Sequence, residues 1–263
     1  MSRRAVKGPS HEIYPAKYFD DSKTWFAWNN LTAADVFGLR TEPGFEGQNT
    51  YFHLNHPIRF VRLVGFVAEI DLKGGKWILI TLDDSSGRCI EIKTSLRQLK
   101  PDDHAEYPSN TVIDNLDAHV KFGAPSLFID KNSVDIGSII KAKGTIDSFR
   151  NTRQLKLERV SVVKDTSEEV EAWASTSAWK RNVLSKPWVM TLDRRKQLDK
   201  QMKHDEIRHA ERSKKRRLYD AKDADRKRRK VEKTEEKRKQ DELKFNAGAL
   251  PGSNAVPMRL TDS

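Results

Sequence analysis

Between Trp77 and Lys93 hydrophobic and polar positions alternate with a period of two, interrupted once by a polar turn. Ile78, Ile80 and Leu82 fall on one face of the first run, and Trp77, Leu79 and Thr81 on the other. Ile90 and Ile92 continue the inner face in the second run, as two paired strands require. The interruption, Asp83-Asp84-Ser85-Ser86-Gly87, is turn chemistry: short acceptors that bond the nearby backbone, then a residue free to take positive φ. A calcium loop or a catalytic carboxylate pair is the competing reading, but no further acids and no histidine recur at ligand spacing. Upstream, Asn55 to Asp71 is a β-branched and aromatic run long enough for an extended strand. Gly65 sits in its middle, where a bulge or sharp bend is permitted. Lys73-Gly74-Gly75-Lys76 then fits a hairpin turn.

Regularity weakens from Thr94 to Ser133, which reads as a surface insertion with some hairpin character. It returns in VDIGSIIKAKGTID (134–147) and QLKLERVSVV (154–163), joined through SFRNTR (148–153). Five meandering strands with one long connection are too few for a sandwich. A long first strand bent at a glycine can pair at both ends, as a small closed five-stranded barrel needs, so the pattern predicts an all-β core of the OB type.

Two helical segments flank this core, and a third follows it. In LTAADVFGL, Thr32 is the expected N-cap of a short helix inside an otherwise irregular arm over residues 1–52. The arm is dense in aromatics (Tyr14, Tyr18, Phe19, Trp25, Phe26, Trp28), which predicts that it lies across the folded domain. After the last strand, Thr166 with Glu169 predicts a capping box and Pro187 a stop near Leu184, giving a helix over 166–185. At ~100° per residue, Val170, Trp173, Ala174, Ala178 and Leu184 form one apolar stripe for the barrel. Trp179 and Val183 project to the opposite side, where something else must bury them. The domains are thus an arm (1–52), a barrel with its helix (53–190), a charged helical segment (191–245) and a disordered tail (246–263).

Charge changes the picture mainly through its distribution. The chain of 263 residues has 49 Lys+Arg against 38 Asp+Glu, a net of +11. From Asp193 to Lys244 there are 22 basic and 13 acidic residues, a net of +9, which leaves +2 for the rest. Such a surplus suits a polyanionic partner through counterion release. Acid-before-base pairs at i,i+4 (Asp199/Lys203, Glu211/Lys215, Asp223/Lys227, Asp225/Arg229, Glu235/Lys239) support a helix there. Leu198, Met202, Ile207, Leu218 and Val231 keep no heptad, so a single solvated, partly frayed helix is expected rather than a coiled coil. The solitary Cys89 excludes an internal disulfide and a cysteine-based zinc site. No apolar run approaches the ~18 residues of a membrane span, and the basic start lacks a secretory h-region. A cytoplasmic or nuclear protein is expected.

Enzymatic signatures are absent. Lys73-Gly74-Gly75-Lys76 lacks the spacing of a phosphate-binding loop, and nothing supports a dinucleotide site. No catalytic residue, metal or cofactor is therefore predicted. Seven histidines are scattered, and His53 and His56 are read as structural. Binding is the better prediction, on the outer face of the second and third strands and the loops that frame it. Lys73, Lys76, Trp77, Lys93, Lys141, Lys143, Phe149, Arg150 and Arg153 are the candidate residues: cations for phosphates, aromatics for bases. In the tail, Lys214 and Lys215, ten further residues, and then Arg226, Lys227, Arg228, Arg229 and Lys230 have the spacing of a two-part nuclear localisation signal.

NHPIRFVRLVGFVAEIDLKGGKWILITLDDSSG, VDIGSIIKAKGTIDSFRNTRQLKLERV and TSEEVEAWASTSAWKRNVLSKPW together resemble the N-terminal OB domain of the fungal Stn subunit of the CST telomere-capping complex. They are more distantly similar to the middle subunit of replication protein A. The likeness covers roughly residues 53–190, with a weaker echo in residues 14–39. It implies a nuclear, telomeric accessory subunit that pairs with the small OB protein Ten through the post-barrel helix and protects single-stranded telomeric DNA. Contact with the large CST subunit is a further implication. The partner role passes to Trp179 and Val183, and to Trp173. The sequence departs from longer family members, whose C-terminal winged-helix domains contact capping or polymerase factors. A charged helix cannot build such domains, so polymerase-linked activity is not carried over. An RNA- or tRNA-binding OB module with a basic tail is the alternative.

Overall fold

A computed structural model describes residues 11–98, 106–121 and 124–247 of the chain. The chain divides into two compact units, Met1–Met190 and Thr191–Ser263. Among the described residues no helix is long and apolar enough to cross a membrane.

The first unit is the barrel. Its strands are β1 (Asn29–Asn30), β2 (Tyr51–His53), β3 (His56–Ile58), β4 (Phe60–Lys73), β5 (Trp77–Asp83), β6 (Cys89–Ser95), β7 (Leu116–Lys121), β8 (Ala124–Ile129), β9 (Asn132–Val134), β10 (Ile139–Phe149) and β11 (Thr152–Val162). The main sheet runs β1-β4-β10-β11-β6-β5, and β4 also pairs with β5, which closes it. One long strand achieves this closure. Residues Phe60 to Phe66 pair with β10 and residues Phe66 to Lys73 with β5. β6 and β11 run parallel, from Glu91↔Gln154 to Lys93↔Lys156. Five strands closed in this order are the OB barrel that the alternation predicts.

Gly65 is where β4 changes partners. A Cβ there would sit 2.3 Å from the carbonyl oxygen of Asp83, so only glycine lets the two backbones approach this closely. The Gly74-Gly75 turn has φ of +60° and +61°, the left-handed values a two-residue hairpin turn favours. Arg150 and Asn151 form the corresponding turn between β10 and β11.

The alternation maps directly onto burial. Ile78, Ile80, Leu82, Ile90 and Ile92 are fully buried and share one core with Val61, Leu63, Ile140, Ile146 and Leu155. The connection between β6 and β10 departs from the expectation of a surface insertion. β7, β8 and β9 form a three-stranded sheet whose Leu116, Leu127, Ile129 and Val134 are buried in that same core.

The arm carries the expected short helix, α1 (Ala33–Gly38), with Thr32 as its N-cap. It also contains a 3-10 turn, Ala16–Asp21, and leads into the β2–β3 hairpin. Tyr14, Tyr18 and Phe19 are buried, and Phe19 packs against Phe45 and Phe52. Phe26 is the exception and remains exposed. His53 and His56 face one another across the β2–β3 hairpin, and His56 Nε2 lies 2.8 Å from the Lys186 carbonyl oxygen.

The post-barrel helix, α2 (Thr166–Trp179), continues as a π-helical turn over Lys180–Leu184. Two expectations are corrected here. The N-cap is Asp165, which accepts from the Glu168 N–H at 2.8 Å, rather than Thr166. The faces also differ from expectation: Trp179 and Val183 are partly buried against the barrel core and Val170 and Trp173 point outward, whereas Leu184 of the expected stripe is buried in the core. Ala172 and Leu184 are the fully buried members of the segment.

The second unit is one continuous helix, α3 (Leu192–Ala247). Asp223 and Asp225 pair with Lys227 and Arg229 at 2.9 and 3.1 Å. The remainder of the tail expected to be disordered lies outside the described residues.

A candidate nucleic-acid interface

Outward positions of β5, β6 and β11 and the tips of two hairpins meet in a groove. It is lined by Lys73, Trp77, Leu79, Glu91, Lys93, Phe149, Arg150, Thr152 and Gln154. Period-two alternation places Trp77 and Leu79 outward, because Ile78 and Ile80 point into the core. Leu79 and Lys93 are directly paired across β5 and β6, so they share a face.

A cation between two rings organises the groove. Lys93 Nζ lies 4.1 Å from the Trp77 ring centroid and 5.6 Å from that of Phe149. The Arg150 guanidinium lies 5.2 Å from the Phe149 ring. Trp77 is nevertheless 44% exposed, leaving a flat aromatic surface open beside two cations. The floor is polar: Gln154, itself buried, donates from Nε2 to the Glu91 carboxylate. Stacking surface and phosphate-seeking charge within one groove are what a single strand needs. Among the described residues no cluster of three or more His, Cys, Asp or Glu could hold a metal ion.

Five of the nine candidate residues, Lys73, Trp77, Lys93, Phe149 and Arg150, line this groove. Lys76 stands in the adjoining turn, where its N–H closes onto the Lys73 carbonyl at 3.2 Å. The other three have different surroundings. Lys141 is bound to Glu168 of α2 at 2.5 Å, and that hydrogen bond holds the Glu168 carboxyl below its usual range. Lys143 lies near the Trp28 ring, and burial beside Arg62, Arg159 and Lys141 pushes its ammonium pKa down. Arg153 is turned away from the groove. Its guanidinium donates to the carbonyls of Val36, Phe37 and Leu39 at 2.6, 2.8 and 2.5 Å, capping the end of α1.

The polar turn after β5 proves to act at the opposite end of the same helix. Asp84 Oδ2 accepts from the Ala33 N–H at 2.7 Å and Ser86 Oγ from the Ala34 N–H at 3.1 Å. Within the turn, Asp83 and Asp84 also accept from the amides of Ser85 and Ser86, as the turn reading requires. Sequence reasoning missed Glu91, Thr152 and Gln154 as groove residues. Glu91 stands two residues before Lys93 on the same strand, Gln154 pairs with Glu91 and Thr152 with Phe149, and that shared register was the available signal.

The first turn of this barrel and its closing strand also lie within a segment recognisable in other proteins. Residues 46–101 match the family model described as Telomere regulation protein Stn1. The fungal Stn resemblance read from the sequence therefore stands. Protein stn1 of Schizosaccharomyces pombe (strain 972 / ATCC 24843) is 24% identical over 158 residues, which cover 59% of this chain and 40% of that protein. The match thus spans well under half of the relative's length.

Solved structures give similar matches. The S. pombe Stn1-ten1 complex contains a chain 22% identical, with a TM-score of 0.42, covering 60% of this chain and 95% of that one. The yeast Stn1 and Ten1 structure contains one 17% identical, with a TM-score of 0.49, covering 72% and 90%. A replication protein A heterotrimer bound to single-stranded DNA contains one 14% identical, with a TM-score of 0.40, covering 60% and 98%.

Proposed function

We propose that this chain is a non-catalytic, Stn1-type subunit of a telomere-capping complex, acting in the nucleus at chromosome ends. The barrel holds single-stranded telomeric DNA in the Trp77–Lys93–Phe149 groove. The observation that carries this reading is that groove, five of whose nine lining residues fall within residues 46–101, the segment that matches the Stn1 family. Lys73, Lys93 and Arg150 neutralise phosphates, Trp77 and Phe149 stack on bases, and protection is stoichiometric: a strand held there is withheld from other enzymes.

The partner surface in this proposal is the outward face of α2. Trp173, 52% exposed, lines a shallow cleft with Leu31, Val64, Thr176 and Ser177, and the exposed Val170 stands three residues before it on the helix. A free tryptophan and valine on a helix face next to a partly apolar cleft suit a small OB partner of the Ten type. Of the three residues that the sequence assigns to this contact, Trp173 keeps the role. Trp179 and Val183 support the helix from beneath.

Two variants of the whole chain test these parts separately. Trp77→Ala with Lys93→Ala should weaken binding of a telomeric single strand by about 1–3 kcal/mol or more, roughly 5- to 150-fold, and lower its salt dependence. Trp173→Ser with Val170→Ser should abolish co-purification with the Ten subunit while leaving the barrel folded. Unchanged affinity in the first pair would remove the groove from the account, and a persistent complex in the second would remove the helix face.

A further inference from the structure

The composition of α3 hides a segregation of charge that its helical geometry brings out. At about 100° per residue, Lys215, Lys222, Arg226, Lys230, Lys233 and Lys237 project within one arc roughly 80° wide. Asp220, Glu232, Glu235 and Glu242 fall on the far side of the same helix. Asp223, Asp225, Glu236 and Asp241 flank the arc, and the first two are occupied by Lys227 and Arg229. None of the six cations makes an ion pair among the described residues. Lys222, Arg226, Arg229, Lys230 and Lys233, with Asp225, line a single shallow surface recess.

The spacing along the arc is regular. From Lys222 to Lys237 consecutive cations are three or four residues apart, or about 4.5–6 Å at ~1.5 Å per residue. The one wide interval, between Lys215 and Lys222, holds Tyr219, which lies in the arc and is 72% exposed. A straight row of unpaired cations interrupted by a free aromatic ring repeats the chemistry of the barrel groove on a different unit.

We propose that this stripe is a second single-stranded nucleic-acid site, with phosphates running along Lys222 to Lys237 and a base stacked on Tyr219. A flexible strand can follow a straight line of charge, whereas the backbones of a duplex wind away from it. Duplex DNA also offers no unstacked base to the tyrosine. The site is carried by α3 alone and does not depend on how the barrel groove is read.

The test compares two charge-matched variants of the full chain, both placed in the Trp77→Ala/Lys93→Ala background to silence the groove. One carries Lys222→Gln, Arg226→Gln, Lys230→Gln and Lys233→Gln. The other removes four cations from the far side: Arg217→Gln, Arg228→Gln, Arg238→Gln and Lys239→Gln. Glutamine preserves helix propensity, and far-UV circular dichroism checks that α3 persists. Binding of an oligothymidylate of about thirty nucleotides is followed across salt concentration. The stripe variant should reduce the slope of log K against log salt by about 3, from ~0.7 per lost single-strand phosphate contact, and the far-side variant by less than 1. Tyr219→Ala should weaken binding fivefold or more. Equal slope losses in the two variants would overturn the proposal, because the charge would then act as a diffuse cloud. So would equally tight binding of a duplex of the same length with no effect of Tyr219→Ala.

Discussion

The Asp84 carboxylate, in the turn after β5, accepts the N–H of Ala33 at 2.7 Å, fifty-one residues earlier in the chain. With Ser86 on Ala34 and Thr32 on Asp35, it satisfies the first three amides of α1. A helix of six residues cannot sustain itself in water, so its stability is borrowed from these long-range caps. Asp84→Ala should lower the unfolding free energy by about 0.5–2 kcal/mol, the range for loss of a helix cap. Urea denaturation of the purified chain measures it, and Asp84→Asn should recover most of the loss.

Arg153 separates stability from binding. Its guanidinium serves three carbonyls at the end of α1. Arg153→Ala should cost about 1–3 kcal/mol of stability, as orphaned carbonyls do. Oligonucleotide affinity, measured by fluorescence anisotropy well below the unfolding midpoint, should stay within twofold of the parent.

Gly65 permits the strand exchange that closes the barrel. Its neighbour on the other strand, the Asp83 carbonyl, leaves no room for a methyl group. Gly65→Ala should therefore destabilise by about 1–3 kcal/mol through overpacking against backbone, read as a lower midpoint in thermal or urea unfolding. Gly74→Ala, in open space, should cost less and act only through its positive φ.

Acidification should weaken the β2–β3 hairpin. Burial pushes the His53 and His56 pKa values below the ordinary histidine value of 6.5. The unfolded chain then binds more protons than the folded one as pH falls below about 6.5, so their contribution is intact above that pH and lost as it drops towards the folded pKa values. Unfolding free energies at pH 7.5 and pH 5.5 should differ in that direction, and His56→Gln should flatten the difference.

The barrel is legible in the sequence because its signal is local. Ile78, Ile80 and Leu82 alternate with outward residues, Gly65 interrupts an apolar strand, and Gly74-Gly75 marks a turn, each detectable within a few residues. The groove is legible for Trp77 and Lys93 because strand register fixes which side chains share a face, and for Lys73, Phe149 and Arg150 because they sit at the hairpin loops that frame that face. The face of α2 is not. Its barrel-facing row is Ala172, Ser175, Thr176, Trp179 and Val183, small and hydroxyl-bearing in its first half, so hydrophobicity does not mark it. Asn30 even reaches Ser175 by a hydrogen bond at 2.9 Å. The outward row carries Val170 and Trp173 and therefore looks like the buried one. Arg153 escapes sequence reasoning because its carbonyl partners lie more than a hundred residues away, a relationship no local pattern encodes.

The three-stranded excursion between β6 and β10 has a consequence for anyone trimming the protein. Leu116, Leu127, Ile129 and Val134 are buried in the core that the barrel strands share. Excising residues 97–134 to obtain a minimal barrel would uncork its interior to water, and the shortened product should collect in inclusion bodies instead of behaving as a tidy five-stranded miniature.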